Sequence, residues 1–542
     1  MAFLVDGPVV ALILGGSGVP AFPVGRASAV SVPAMSVRRV LPWILVTLAA
    51  WGCLAAWSLA SPPGSSPDDD YHMASIWCAD GFEAGRCEAG DTDDVRVVPT
   101  RASGASLCYA TDPSASAACQ DAFPDAGADY PAVHGNWTGA YPPLYYEFMS
   151  TFVGVDVPRA IVVMRLVASA LAVGLVALLA GLLPRRRRPL ATVPLLLTSI
   201  PLGMSLLPST NPSGWTILGI ATLWPALYVA FETRGPRQWG LAAVAVLSAT
   251  LASGARADGC LFAAMSVVLV LMLRVRHLRT SPVLVAASLV ALGISAYYFL
   301  SAGQAVVING DMRAAETAAA VLTKWQLVMV NTGALPVLWL GSFAAGPMGR
   351  AGWLDTGFPQ LVPVLVIAVW FLVVAQGLRR MFPAKTLGVG LVVAALFVHP
   401  LYLLVQTHVL VGEAVQPRYL LPLLVLLTGL VLLAPRGVAL RLTPAGLWAA
   451  VAALGVAHSL ALHVQMRRYI SGQDVSWLRL GKQQEWWWDG LPTPTLFWLV
   501  GSACFAAVTW AVLRPLVAPP STAPSPAATD HAHEGRHAEE RV

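Results

Sequence analysis

The chain has 542 residues, of which 56% are hydrophobic and only 12% are charged, with a formal net charge of +5. A soluble globular protein carries roughly 25% charged residues, so this composition excludes a soluble globular domain as the bulk of the chain. Apolar stretches of about 18 to 22 residues recur along it, the length that a helix needs to cross a bilayer. The alternation of polar and apolar residues typical of membrane β-barrels is absent. The composition therefore predicts an all-α protein, a polytopic transmembrane helical bundle.

We predict about 12 spans (11 to 13), with a large loop between the first and the second. A further apolar stretch, 325–345, would break the charge pattern described next if it crossed the membrane fully. We therefore predict that it forms a re-entrant or interfacial pair of short helices, broken near Gly333 and Pro336. The predicted spans are 41–60, 161–183, 190–207, 214–231, 238–253, 260–274, 282–300, 360–378, 386–405, 419–434, 444–463 and 493–513.

Basic residues occupy alternate short loops, whereas most acidic residues fall in the loops between them. Short loops rich in Lys and Arg stay cytoplasmic. This predicts a multi-pass protein of the cell membrane with both termini cytoplasmic and the acidic loops outside. The basic positions are Arg38, Arg39, Arg185 to Arg188, Arg234, Arg237, Arg274, Arg276, Arg279, Arg379, Arg380, Lys385, Arg436 and Arg441.

The spans make one membrane domain, 38–515, with segments of different composition at both ends. Residues 1–37 are rich in Gly, Pro, Val and Ala, and we interpret them as a disordered leader or an over-extended gene start. The tail, 516–542, is rich in Pro, Ala and Ser and is predicted to be disordered and cytoplasmic. Besides the first outer loop, further outer loops are predicted at 301–359 and 464–492.

The first outer loop, 61–160, is long enough for a small helical cap and holds four of the seven cysteines. Four cysteines in one extracytoplasmic loop predict two disulfides formed in an oxidising compartment, and three pairings are open. Proximity along the chain favours Cys78–Cys87 and Cys108–Cys119. A zinc site is the alternative, although the spacing fits no zinc pattern well.

Three consecutive carboxylates, Asp68, Asp69 and Asp70, follow the first span. Like charges this close repel each other, so the group is costly unless a cation, a proton or a substrate is shared among them. By the charge argument, other polar motifs also fall at outer span ends. They are His72, the Tyr-Pro-Pro-Leu-Tyr-Tyr-Glu run from Tyr141, Arg256 with Asp258, Asp355 in Gly-Trp-Leu-Asp-Thr, and Arg418 with Tyr419.

Each motif also has a purely structural interpretation. The three aspartates would form a solvated acidic linker, and Arg256 with Asp258 would be an interfacial ion pair. The Tyr-Pro-Pro-Leu-Tyr run suits a rigid helix start, since Pro is tolerated in the first turn. Asp355 would cap a helix, and the Arg418 side chain would snorkel toward the interface.

Taken together, the motifs resemble those of bacterial membrane proteins catalogued as domain of unknown function 2142, over about residues 41–515. That family resembles the GT-C superfamily of glycosyltransferases, which use polyprenyl-phosphate sugars and place an acidic motif in the first outer loop. The chain departs from the pattern at Asp69, where Glu is usual. The matching motifs are Pro-Asp-Asp-Asp-Tyr-His from Pro67, Tyr-Pro-Pro-Leu-Tyr-Tyr from Tyr141, Gly-Trp-Leu-Asp-Thr from Gly352 and Arg-Tyr-Leu-Leu-Pro from Arg418.

The resemblance implies a GT-C-like glycosyltransferase (hexosyl or pentosyl) that takes a sugar from a polyprenyl-phosphate donor. The acceptor would be a cell-envelope glycan or lipid at the extracytoplasmic face. Asp68, Asp69 or Asp70 would act as the base on the acceptor hydroxyl, and Asp68 with Asp70 would hold a divalent cation such as Mg or Mn. Arginines would hold the leaving phosphate. The expected substrate-binding residues are His72, Tyr141, Tyr145, Arg256, Asp258, Asp355, Arg418 and Tyr419.

Two other functions fit the same composition: a transporter or flippase of lipid-linked saccharides, and a non-catalytic envelope assembly protein. A transporter should show charged residues deep in its spans and helices broken near the midplane. Here the polar residues gather at outer span ends, which favours the enzyme. No Gly-x-x-x-x-Gly-Lys-Ser/Thr motif occurs, which argues against ATP drive. The lipid bilayer is the expected partner, and no nucleic acid and no other cofactor are expected.

Overall fold

The regular structure is mostly helical. The computed structural model describes residues 37–124, 127–303, 318–413 and 415–518. Proline lies in the first turn of eight of the helices, where its missing N–H costs no hydrogen bond. The α-helices are α1 Val37–Leu59, α2 Asp69–Trp77, α3 Thr100–Ser103, α4 Leu144–Ser150, α5 Val157–Leu182, α6 Pro189–Thr198, α7 Leu202–Leu206, α8 Ser213–Ala230, α9 Pro236–Ala255, α10 Ala257–Leu273, α11 Pro282–Ser301, α12 Lys324–Gly341, α13 Leu361–Leu378, α14 Pro383–Gln406, α15 Leu421–Leu432, α16 Pro444–Ile470 and α17 Pro494–Leu513.

Each of the helices that could cross a membrane falls on one of the twelve predicted spans. Within the described residues, nine are long and apolar enough, namely α1, α5, α8, α9, α11, α13, α14, α16 and α17. The other three predicted spans fall on apolar helices that are shorter, α6, α10 and α15. The predicted span 190–207 is divided between α6, which ends at Thr198, and α7. The predicted all-α polytopic bundle is therefore confirmed.

Two helices form the centre of the packing. Every residue of α8 and of α15 is buried, and the two helices pack against each other. The outer helices instead expose large apolar side chains, such as Leu300, Phe371 and Leu372. A helix that is apolar all round needs an apolar environment on every side, which the bilayer supplies for the outer helices.

The stretch 325–345 differs from its prediction. It contains one continuous helix, α12, with Pro336 inside it, so the predicted break near Gly333 and Pro336 is wrong. Thr323 and Gln326 form a capping box that satisfies the first turn, and α12 packs along α14. These contacts offset the single backbone hydrogen bond that Pro336 cannot donate. Helix α12 is not among the nine spanning candidates of the described chain.

The first loop folds into a cap of mixed structure, not a purely helical one. It contains α2, α3, α4 and an antiparallel sheet in the order β1-β2-β3. Both favoured disulfides are present, Cys78–Cys87 and Cys108–Cys119. The strands are β1 Glu88–Ala89, β2 Arg96–Val98 and β3 Tyr130–Ala132.

A short hairpin and the C-terminal end of α17 meet at the helix ends that are remote from the cap. Strands β4 Leu433–Ala434 and β5 Gly437–Val438 pair directly after α15. Val517 forms a bridge to Leu442, so the chain is ordered through 518. The predicted leader 1–37, apart from residue 37, and the predicted tail beyond 518 lie outside the described residues.

Candidate functional site

Three junctions between helices meet on the acidic motif. Asp68 precedes α2, Arg256 separates α9 from α10, and Arg418 precedes α15. Tyr141, three residues before α4, contacts Arg256 and His72. We call this set the acid–arginine cluster: Asp68, His72, Tyr141, Arg256, Asp258, Arg418 and Tyr419.

Asp68 forms an ion pair with Arg418. Its backbone is left-handed, with φ of 59°, and its side chain does not cap α2. An aspartate before a helix usually caps the first turn with its side chain, but this conformation directs the carboxylate to Arg418 instead. The Asp68 side chain stays 39% exposed, whereas that of Arg418 is 1% exposed. Burial alone would raise the pKa of Asp68, but the charges of Arg418 and Arg256 lower it below its usual value.

Arg418 has buried donors that no described residue uses. Its Nη2 donates to Asp68 and to the Tyr419 hydroxyl, the latter at 3.3 Å. Its Nε and Nη1 are buried and have no partner in the described parts of the chain. Buried guanidinium N–H groups without an acceptor cost free energy. A phosphate matches the forked geometry of a guanidinium group. The cluster therefore presents free donors suited to an anion.

A second arginine lies beside the first. The Arg256 Nε and Nη2 donate to the two oxygens of Asp258, at 2.9 and 3.1 Å. Its guanidinium lies 4.7 Å from the centre of the Tyr419 ring and 5.5 Å from that of Tyr141. The bidentate pair and the two rings fix the guanidinium plane, so Arg256 supplies a positioned positive charge.

His72 is a buried neutral residue of the cluster. Its Nδ1 lies 2.9 Å from the Tyr146 hydroxyl, and its Nε2 has no partner among the described residues. Burial lowers the pKa of His72 to about 3, an effect that Asp68 opposes and Arg418 and Arg256 reinforce. The ring is therefore uncharged at neutral pH and offers one free nitrogen.

Asp69 belongs to a different network. Its Oδ1 accepts a hydrogen bond from the Thr210 hydroxyl and its Oδ2 one from the Ser66 N–H, both at 2.9 Å. Arg165 lies 3.8 Å from Oδ2. Burial raises the pKa of Asp69 to about 6, although Arg165 and the two hydrogen bonds oppose the rise. The side chain is fully buried, so Asp69 ties the first loop to the segment before α8.

Three other predicted site residues also lie outside the cluster. Asp70 is partly exposed on the cap side, where its carbonyl accepts from Ser103 at 2.9 Å. Burial raises the pKa of its carboxyl. Tyr145 packs against Trp215, with ring centres 5.1 Å apart. Asp355 accepts a buried hydrogen bond from Arg468 at 2.9 Å.

The segment that leads to Asp68 is held by its backbone carbonyls. Side chains from the cap, α5, α16 and the loops before α13 and α17 donate to almost every carbonyl from Leu59 to Ser65, so the position of Asp68 is fixed from several directions. The donors are Trp488 to Leu59, Arg165 to Ser61 and Pro62, Tyr109 and Gln120 to Pro63, Trp353 to Gly64, and Tyr469 to Ser65. We call this set the carbonyl clamp.

Arg165 is the main residue that sequence reasoning missed. It lies inside a predicted span, and an ionisable residue at such depth is a signal of structural or functional importance. Its guanidinium donates to the carbonyls of Ser61 and Pro62 at 2.6 and 2.9 Å. Trp353, in the Gly-Trp-Leu-Asp-Thr motif, donates its indole N–H to the Gly64 carbonyl at 2.9 Å.

The donor set does not fit a divalent cation. Within the described residues, no group of three or more His, Cys, Asp or Glu side chains is arranged to hold a metal ion. Asp68 faces Arg418 and lies near Arg256, so the two positive charges that a cation would supply are already present. Of the two carboxylates expected to share it, Asp68 is already paired with Arg418, and no third ligand accompanies Asp68 and Asp70 among the described residues.

The comparison with known families agrees with the motifs. The family described as predicted membrane protein DUF2142 matches residues 52–427. The chain belongs to this family. No curated protein matches the chain. The match covers Asp68, Arg256 and Arg418, so the acid–arginine cluster lies within the DUF2142 region.

Proposed function

We propose that this DUF2142 protein is a membrane glycosyltransferase of GT-C type. It would transfer a sugar from a polyprenyl-phosphate donor to a cell-envelope glycan or lipid acceptor at the extracytoplasmic face. The observation that carries the proposal is the pairing of a half-exposed carboxylate, Asp68, with an arginine, Arg418, that has unused buried donors.

The phosphate of the donor would occupy the free donors of Arg418. Nε and Nη1 are buried and have no partner in the described chain, and Arg256 adds a second positive charge nearby. Positive groups fixed before the reaction stabilise the charge that develops on a leaving phosphate. The apolar prenyl chain would remain in the bilayer while the sugar lies at the helix ends.

Asp68 would be the general base. The acceptor hydroxyl gives its proton to the Asp68 carboxylate as its oxygen forms a bond to the anomeric carbon. The bond from that carbon to the phosphate oxygen breaks, and the polyprenyl phosphate leaves with the electron pair. A phosphate on Arg418 also offsets the charge that lowers the pKa of Asp68, so the carboxylate becomes a stronger base when the donor is bound.

Asp69 would position Asp68 without acting on the substrate. Both of its oxygens already accept hydrogen bonds, from Thr210 and Ser66, and its side chain is fully buried. The buried Arg165 likewise uses both of its Nη groups on the carbonyls of Ser61 and Pro62. The charged side chain of α5 is therefore engaged in structural contacts. This supports the enzyme over a transporter, which would need a polar path through its spans.

The test is transfer by the purified chain in proteoliposomes. Mannosyl, glucosyl and arabinosyl polyprenyl phosphates serve as donors, with cell-envelope lipid extract as acceptor, and mass spectrometry detects the glycosylated product. We expect product and free polyprenyl phosphate with at least one donor. If none of the donors is consumed while the same protein moves lipid-linked saccharide across the bilayer, the transporter interpretation replaces this one.

A further inference from the structure

An arginine-lined cavity of about 600 Å³ lies away from the acid–arginine cluster. Six of its sixteen lining residues are arginines, and none is acidic. The others are mostly apolar and include Val438, Leu440 and Leu516. The arginines are Arg185, Arg186, Arg379, Arg380, Arg436 and Arg441; together they form what we call the arginine pocket.

The arginine pocket lies at the opposite ends of the helices from the cluster. Helix α15 begins two residues after Tyr419 and leads into the hairpin that carries Arg436. Its 12 residues rise by roughly 18 Å at about 1.5 Å per residue. Helices α5 and α13 likewise end just before Arg185 and Arg379. The pocket is therefore a site distinct from the one proposed for catalysis.

None of the six guanidiniums has a partner for its charge in the described chain. No carboxylate of the described residues forms a salt bridge with any of them, and no hydrogen bond of their side chains is found there. The preference for basic residues in cytoplasmic loops explains positive charge on this side. It does not explain why six arginines from separate loops line one concave surface without an acid.

Two buried cations hold the pocket walls in place. Arg187 donates to the carbonyls of Ala434, Pro435 and Gly437 at 2.7 to 2.9 Å, and it also contacts Glu232 and the Tyr228 ring. Lys385 donates to the carbonyls of Gly377, Arg380 and Leu433 at 2.9 to 3.1 Å. Neither cation is available to a ligand. They join the loop after α5, the end of α13 and the β4–β5 hairpin into a preformed wall.

We propose that the arginine pocket binds the headgroup of an anionic phospholipid that carries two phosphates. Guanidinium groups bind phosphate oxygens in pairs, and basic pockets at helix ends select anionic headgroups from the adjacent leaflet. A single phosphodiester would neutralise only one of six positive charges. The apolar lining, with Val438, Leu440 and Leu516, suits the glycerol and the first methylenes of a lipid better than it suits a free anion.

The experiment is native mass spectrometry of the detergent-purified full chain, titrated separately with diphosphatidylglycerol, phosphatidylcholine and inorganic pyrophosphate. The pocket variant carries Arg379→Gln, Arg380→Gln and Arg436→Gln. The control variant carries Arg234→Gln, Arg276→Gln and Arg279→Gln, which are exposed residues outside the pocket lining. Both variants lose the same net charge, and thermal unfolding of each checks that it is folded.

We expect wild type to prefer diphosphatidylglycerol, the pocket variant to bind it on the order of 10- to 100-fold more weakly, and the control to stay close to wild type. Equal losses in both variants would show attraction by net charge alone and overturn the proposal. Equal binding of both lipids by wild type would also overturn it. Inorganic pyrophosphate that binds the pocket as tightly as the lipid would overturn the lipid assignment.

Discussion

Asp68 and Asp69 are consecutive residues, yet their carboxylates belong to separate polar networks. Asp68 pairs with Arg418 and stays 39% exposed, whereas Asp69 is fully buried between Thr210, Ser66 and Arg165. The left-handed backbone at Asp68 makes this divergence possible. It separates a residue that can reach a substrate from one that holds the loop.

The buried Asp69 makes stability depend on pH. Its pKa is about 6 in the fold and about 3.9 in an unfolded chain, so the folded state binds the proton more tightly. The contribution of Asp69 to the free energy of unfolding is therefore largest below about pH 4 and falls as pH rises to about 6, by roughly 2–3 kcal/mol. Asp69→Asn should remove this part of the slope in thermal unfolding between those values. A slope unchanged from wild type would contradict the account; Asp91→Asn, an exposed acid of the cap, is the control.

Arg418 should be needed both for its charge and for its forked donors. Arg418→Lys keeps a charge beside Asp68 but loses the free Nε and Nη1 positions, so donor KM should rise. Arg418→Gln should lower kcat/KM by about 10²–10³-fold. Arg350→Lys, on an exposed residue, is the control, and a loss of activity in this control equal to that in Arg418→Lys would contradict the account.

The Arg418→Gln variant should also shift the pH profile of kcat/KM. Asp68 has a lowered pKa, so it stays ionised, and the enzyme active, until pH falls through that value. In Arg418→Gln the cation that opposes burial is gone, so the pKa of Asp68 rises and the acid limb of kcat/KM moves to higher pH. An acid limb at the same pH in both proteins would assign it to another group.

The carbonyl clamp should affect activity by holding Asp68 in position. Trp353→Phe removes the indole donor to Gly64 and should cost about 0.5–1.5 kcal/mol of stability. Because Gly64 belongs to the segment that leads to Asp68, kcat should fall while donor KM changes little. Trp448→Phe is the control, since Trp448 is 61% exposed on α16. An equal effect of both substitutions on kcat would show that the clamp does not position the site.

The spans and the grouping of polar residues at their ends could be predicted from the sequence, because the bilayer imposes both. The spans follow from apolar length, and the convergence of His72, Tyr141, Arg256 and Arg418 follows from their common position at span ends. Which of the three adjacent aspartates can reach a substrate does not follow from the sequence. It depends on the backbone at Asp68 and on Thr210, which is distant in sequence, and no local pattern encodes such contacts. The continuity of α12 through Pro336 likewise depends on packing along α14.

The most direct test is transfer activity of Asp68→Asn, measured beside Asp91→Asn in proteoliposomes at equal protein and with normal thermal unfolding. Removal of a positioned base typically costs about 10²–10⁴-fold in rate. We therefore expect a loss of that size for Asp68→Asn and activity close to wild type for Asp91→Asn. Activity of Asp68→Asn within a few-fold of wild type would contradict the assignment of Asp68 as the catalytic base.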